Sequence, residues 1–561
     1  MSRLSVKTTL LALSAALVGI LVGAATEKIA FDKSDVESAE RLIGLSFTDA
    51  ERDSMMDDLR SNLEDYENLR AITLSNRIPP SLLFEPLPTR VRPPNGNVKL
   101  VTSPPARTSV PENLEELAFY SVRELAELIR TGKITSTQLT QIYIERLQRF
   151  GPQLECVVTL TEELALAQAR HADEEIAAGR YRGYLHGIPY GAKDLLSVPG
   201  YKTTWGAQPY KDQVIDETAT VIKKLENAGA VLVAKLTLGA LAWGDVWFGG
   251  MTRNPWNLEQ GSSGSSAGSA AATAAGLVAF AIGTETWGSI VSPSTRCGAT
   301  GLRPTFGSVS RTGAMALSWS MDKIGPICRT AEDCAIVYEV IRGPDGIDQS
   351  VVETSFVYDF RIDLKDLRIG YLREAFEEDY SNHDRDAATL VDLRELGAKL
   401  IPIDLPDYPV SSLSFILTAE AAAAFDDLTR SNRDDLLVRQ IKNAWPNVLR
   451  SSRFIPAVEY IQANRLRYEM IQGMHQVMAD VDVYVCPTFG GNNLLLTNLT
   501  GHPCVVLPNG FNEKGAPTSI TFIGNLYDEA TLLAVANAYQ QVTNFHQKHP
   551  PAFTPQKKES Q

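Results

Sequence analysis

The densest grouping of potentially reactive side chains is Gly261-Ser-Ser-Gly-Ser-Ser-Ala-Gly-Ser269, which runs into the uncharged stretch 270–283. Such a loop offers hydroxyls and backbone N–H groups at a helix N-terminus, where partial positive charge collects. A flexible linker shares this composition, but linkers do not ordinarily continue into an apolar core segment. A phosphate-binding loop would need Gly-Lys-Ser/Thr to follow, and it does not. Gly264-Ser-Ser-Ala-Gly268 matches a nucleophile elbow centred on Ser266. The elbow requires a hydrophobic strand just upstream, however, and residues 254–260 are polar and turn-rich.

A wider pattern accounts for more of the chain. The segments Gly187-Ile-Pro-Tyr-Gly-Ala-Lys-Asp194, Gly264-Ser-Ser-Ala-Gly-Ser-Ala-Ala-Ala272 and Gly283-Thr-Glu-Thr-Trp-Gly-Ser-Ile290 together resemble the amidase signature family. The resemblance continues through Cys297-Gly-Ala-Thr-Gly-Leu-Arg-Pro-Thr305, Met321-Asp-Lys-Ile-Gly-Pro326 and Asn498-Leu-Thr-Gly-His-Pro503, and covers about residues 115–545. It implies a Ser-cisSer-Lys triad. The family's lysine falls on Lys193, its bridging serine, with a cis peptide bond, on Ser265, and its nucleophile on Ser289, with the two serines 24 residues apart. By the same resemblance the N–H groups of Thr286, Trp287, Gly288 and Ser289 form the oxyanion hole. Donors of this kind contribute about 3 to 4 kcal/mol each.

The chemistry is coherent on its own terms. A serine hydroxyl is a poor nucleophile until a base removes its proton, and with seven histidines in the whole chain a lysine is the natural candidate. That lysine must be uncharged. Holding a lysine of ordinary pKa about 10.4 neutral at about pH 7 costs about 4.6 kcal/mol, which burial among Ile188, Pro189, Ala192, Leu195 and Leu196 supplies. Ser265 then relays the proton between Ser289 and Lys193. An amide would be cleaved through an acyl-serine intermediate to a carboxylate and ammonia or an amine, with no cofactor and no metal required.

This sequence departs from the family near the nucleophile. The family commonly has Asp-x-Gly-Gly-Ser-Ile-Arg, where this chain has Glu285, Trp287 and Val291. A buried ion pair behind that loop is therefore expected to be absent or rebuilt, and Trp287 to narrow or line the acyl pocket. Other pocket-lining residues are expected within residues 363–451, where the family varies most. Fatty, aryl, peptide C-terminal and small aliphatic amides all fit the mechanism. A second serine-lysine pair, Ser320-Met-Asp-Lys323 with Arg311-Thr-Gly313, has the order and spacing of its two elements wrong for a penicillin-recognising enzyme. Asn498-Leu-Thr500 has the form of a glycosylation sequon but falls in a family loop, and His502 is read as a hydrogen-bonded loop residue.

The elements that must position these groups follow a strand-helix alternation. Short β-rich runs at 157–160, 231–234, 367–371, 399–403 and 481–486 alternate with helical patterns, predicting an α/β/α sandwich around a mixed sheet. Helices are expected over 121–131 and 135–149, the second capped by Ser136 or Thr137. Four regions result: 1–26, a signal peptide or membrane anchor; 27–76, a helical extension; 77–112, a proline-rich linker; and 113–561, the amidase domain. In the first, Arg3 and Lys7 precede an apolar run at 8–25, so the body is expected to be exported, periplasmic or secreted, or held at a membrane. The extension has two readings, a strap resembling the small helical subunit of transamidosomes or an unrelated helical pair.

Composition sets the remaining bounds. With 53 basic and 67 acidic residues the net charge is -14, which argues against nucleic acid as a partner. Six scattered cysteines form no disulfide framework and no CxxC pair. The expected partner is a small-molecule amide, and the expected state a monomer or homodimer. The resemblance leaves two alternatives to a stand-alone amidase: the glutaminase-type component of an amidotransferase, and an inactive binding protein on the same scaffold.

Overall fold

The computed structural model describes residues 31–72, 74–88 and 91–555. The signal-peptide or anchor reading of residues 1–26 lies outside them. Among the described residues no helix is long and apolar enough to cross a membrane. The chain divides into two compact units, residues 1–74 and 75–561.

Among the described residues, the first unit contains two helices, Lys33–Ile43 and Asp49–Arg70. Each begins with a capping box, Asp32 with Asp35 and Thr48 with Glu51, which satisfies N–H groups that the first helical turn leaves without partners. Gly44, at φ 70°, ends the first helix. Arg52 binds Glu40 through two nitrogens, at 2.8 and 2.9 Å, and so ties the helices together.

The second unit is built on an eleven-stranded sheet. Its strands in chain order are β1 (Val157–Leu160), β2 (Pro189–Lys193), β3 (Val231–Leu236), β4 (Phe280–Glu285), β5 (Thr300–Arg303), β6 (Lys323–Cys328), β7 (Arg368–Leu372), β8 (Lys399–Ile403), β9 (Val483–Pro487), β10 (Cys504–Phe511) and β11 (Pro517–Gly524). In space they run β8-β7-β9-β11-β10-β5-β6-β4-β2-β3-β1. Parallel pairs (β8-β7-β9 and β4-β2-β3) lie on either side of an antiparallel centre. The sheet is mixed, as expected, and β2, β3, β4 and β6 are buried throughout or nearly so, the signature of strands covered on both faces.

Sequence and structure differ at one cap. The helix Ser136–Leu154 is capped by Thr135, whose hydroxyl accepts from Gln138 N, not by Ser136 or Thr137. Those two hydroxyls serve long-range contacts instead: Ser136 donates to Gly187 O at 2.8 Å and Thr137 to Asp173 at 2.6 Å. The proline-rich run belongs to the second unit from Ser75 onward. Asn76 pairs with Ala316 through both its amide atoms, and residues Val98–Val101 form a parallel two-stranded ladder with Phe356–Asp359.

Candidate active site

Two neighbouring parallel strands bring the first groups together. Lys193 closes β2, and the register of β2 against β4, Ala192 opposite Ile282, sets Thr284 and Glu285 beside it. The Gly-Ser loop supplies the next residues. It lies on β4 and feeds the buried helix Ala267–Ala274. The close approach depends on glycine: a Cβ at Gly283 would stand 2.8 Å from Ser266 Oγ, and one at Gly264 would collide with the Gly244 carbonyl. The Gly264–Ser265 peptide bond is cis, where the sequence resemblance put it.

Lys193 is wholly buried, not the surface lysine that its type usually is. Its amine lies 2.8 Å from Ser265 Oγ, 3.0 Å from Ser266 Oγ, 2.9 Å from Thr284 Oγ1 and 3.3 Å from Thr284 O. Burial pushes its pKa well below the ordinary lysine value of 10.5, against the weaker pull of Asp322 and Glu285. A neutral amine has two protons and one lone pair. Ser266 donates its own proton to Thr284 O at 3.0 Å, so toward Lys193 its oxygen accepts. The other two hydroxyls within reach of the amine are Ser265 Oγ and Thr284 Oγ1. Ser266, the centre of the elbow motif, also accepts from Thr284 N at 3.1 Å and is fully occupied in fixing the lysine.

Ser289 follows the turn Thr286-Trp287-Gly288, with Gly288 at φ 83°. Its carbonyl accepts from Ser266 N at 3.0 Å, which joins the nucleophile turn to the Gly-Ser loop, and the residue is 8% exposed. The turn Thr286–Ser289 lies between β4 and the helix Val291–Cys297. The N–H groups of Ile290 and Val291 are taken up by Glu285 Oε2 at 2.8 and 2.9 Å.

Glu285 resolves the departure from the family pattern: the ion pair is rebuilt. In place of an arginine at position 291, Arg303 from β5 reaches Glu285 Oε1 at 3.0 Å, both side chains being wholly buried. Arg303 also donates to Thr497 Oγ1 and His502 O, and Asn498 Nδ2 donates to Glu285 Oε1 at 2.9 Å. Asn498 is thus a buried structural residue and its sequon has no exposed amide. His502 is likewise internal, bonded to Thr500 Oγ1, and its pKa is pushed down to about 3 by burial. Burial alone would raise the Glu285 pKa, but Arg303, the two N–H groups and Asn498 hold it at about 2.

Glu285→Gln leaves Arg303 buried without its counter-charge, and about 3 to 5 kcal/mol of stability is expected to be lost in urea melts near neutral pH. The sign follows from the lowered pKa. The contribution is complete above the ordinary glutamate value of 4.5 and fades as pH falls toward about 2. The wild-type advantage over Glu285→Gln should therefore shrink across that interval.

Two residues inside the segments that carry the resemblance were given no role in the sequence reading. Thr284, the penultimate residue of β4, holds the lysine. Asp322, inside the rejected Ser-x-x-Lys motif, accepts from Thr286 Oγ1 at 2.6 Å and from the N–H groups of Leu317 and Ser318. Trp287 stays 44% exposed at the turn. A cavity of about 370 Å³ adjoins Thr284, Thr286 and Asp322. None of Lys193, Ser265, Trp287, Ser289 and residues 363–451 lines it. Part of that region acts from behind: Glu420 accepts from Ser318 Oγ at 2.7 Å and Ser320 Oγ at 2.6 Å and supports the loop that carries Asp322.

The chain is similar to known amidases and amidotransferase A subunits. The Amidase family model matches residues 138–496. The A subunit of the glutamyl-tRNA(Gln) amidotransferase of Methylococcus capsulatus is 34% identical over 479 residues, spanning 77% of this chain and 98% of the relative. A putative amidase, AmiD, of Mycobacterium bovis is 34% identical over 479 residues, spanning 80% and 99%. Among solved structures, the native peptide amidase of Stenotrophomonas maltophilia superposes with a TM-score of 0.69 at 30% identity, covering 78% of this chain and 99% of that one.

Proposed function

Because this chain belongs to the amidase family and is a hydrolase of carbon–nitrogen bonds in linear amides, we propose that it works through Lys193, Ser265 and Ser289 as base, relay and nucleophile. The observation that carries this reading is the buried Lys193 amine 2.8 Å from Ser265 Oγ, with its pKa pushed well below the ordinary lysine value by burial. Ser289 Oγ gives its proton to Ser265, which passes one on to Lys193, and attacks the amide carbonyl. The oxyanion forms against the N–H groups of Thr286, Trp287, Gly288 and Ser289. As the carbon–nitrogen bond breaks, the lysine's proton returns through Ser265 to the departing nitrogen. Water, activated by the same pair, then hydrolyses the acyl-Ser289 ester. The substrate is a small-molecule amide, and the protein's own residues supply every proton transfer.

The likeness to the A subunits of amidotransferases supports a second reading, a glutaminase that feeds ammonia to a partner. The apolar run at residues 8–25 weighs against it. It supports export or membrane attachment of the body, away from the cytosolic tRNA that such a partner would serve. Release of ammonia from simple primary amides by the purified chain alone is the expected result. Turnover of glutamine only, and only after addition of a partner protein, would overturn the amidase reading in favour of the glutaminase. Fractionation of the native protein tests the location: a cytosolic soluble pool would exclude export and attachment alike.

A further inference from the structure

Two carboxylates act on the buried Lys193 amine through space, Asp322 more strongly than Glu285. Glu285 is paired with Arg303 and turned toward the N–H groups of Ile290 and Val291. Asp322 is held differently. Its Oδ1 accepts from Thr286 Oγ1 at 2.6 Å, and its Oδ2 from Leu317 N at 2.8 Å and Ser318 N at 3.0 Å. Donors reach both oxygens, the pattern of an ionised carboxylate. The cationic groups around it are committed elsewhere. Arg311 is paired with Asp348, and Lys323 donates to Met321 O, with its pKa pushed well below the ordinary value by burial.

Strand register explains where this carboxylate stands. Lys323 opens β6 opposite Glu285, the last residue of β4, so Asp322 comes level with Thr286, the first residue of the turn that ends at Ser289. A carboxylate–hydroxyl bond of 2.6 Å is charge-assisted and about twice as strong as a neutral one. It ties the start of the turn to a loop that Glu420 braces through Ser318 and Ser320. Two residues before Thr286, Thr284 Oγ1 lies 2.9 Å from the Lys193 amine. The segment Thr284–Thr286 is thus fastened to the lysine at one end and to Asp322 at the other.

Resting on the Lys193–Ser265–Ser289 reading above, we propose that Asp322 is a positioning residue for amide cleavage: through Thr286 it fixes the turn that carries Ser289, and its negative charge stabilises the ammonium that Lys193 becomes during turnover. The second role follows from the burial of the amine. When the serine's proton arrives, a cation forms where water is excluded, and such a charge is costly unless an opposite one stands near. Glu285, already neutralised by Arg303, offers less.

The test measures ammonia release from a simple primary amide by the full chain across pH, in wild type, Asp322→Asn, Asp322→Glu and Thr286→Val. Asp322→Asn should lower kcat by about tenfold or more with KM held within about twofold. The acid limb of kcat/KM should move to lower pH in that variant, because Lys193 without the nearby negative charge gives up its proton more readily. Asp322→Glu, which keeps the charge, should return the limb toward its wild-type position. Thr286→Val removes the tether and keeps the charge, so kcat should fall while the limb stays in place. A limb that does not move in Asp322→Asn, a rise in KM with kcat unchanged, or a Thr286→Val enzyme as fast as wild type would overturn the proposal and leave the amidase reading intact. Turnover indifferent to Lys193→Ala would overturn both.

Discussion

Replacing Ser289 by alanine is expected to lower amide turnover by about five to six orders of magnitude, the loss seen when a nucleophile acting as one unit with its base is removed. It should also abolish labelling by a fluorophosphonate probe, which reacts only with an activated serine. The candidates for that serine are close together: Ser265, Ser266 and Ser289 share one loop junction, joined by the Ser266 N to Ser289 O bond at 3.0 Å. Their surroundings separate them. Ser265 and Ser266 are wholly buried and bonded to the lysine, whereas Ser289 sits at the turn between β4 and the helix Val291–Cys297. Labelling of wild type at Ser289, mapped by peptide mass, and its loss in Ser289→Ala is the check; labelling retained in the variant would move the nucleophile elsewhere.

Lys193→Ala should cost about three to four orders of magnitude in kcat/KM, the scale of removing the general base while oxyanion donors and substrate binding survive. A second readout distinguishes the amine's chemistry from a packing defect. Unfolded, the lysine binds a proton up to its ordinary pKa of 10.5; folded, burial keeps it neutral far below that. Between the two values the unfolded state holds the extra proton, so stability contributed at this position rises with pH. Wild type should thus gain stability relative to Lys193→Met in urea melts as pH increases toward 10.5. Parallel stability curves for the two proteins would mean the amine is charged in the folded state.

The strands were readable because each is a short apolar run bounded by turn residues, and β1 and β8 fall on the expected residues. The Lys193–Ser265 contact and the cis bond are where the family resemblance put them. What escaped is long-range. Glu285 could be seen to differ from the family pattern, but its partner Arg303 comes from a strand two places across the sheet, and no local spacing announces that contact. Thr135 won the cap because Ser136 and Thr137 were drawn to Gly187 and Asp173, a tertiary competition that propensity does not include. The proline-rich run reads as a linker from its composition, and only the long-range contacts of Asn76 and Phe84 show it fastened to the body.

Ser289 can act only if its proton passes to an uncharged lysine, and the pH dependence of Ser289 acylation by the fluorophosphonate probe tests that transfer most directly. The rate in wild type should fall toward acid as Lys193 takes up a proton and loses its lone pair, and Lys193→Ala should be slow with that dependence gone. A wild-type rate that stays level from about pH 5 to 9, matched by an equally fast Lys193→Ala, would contradict it.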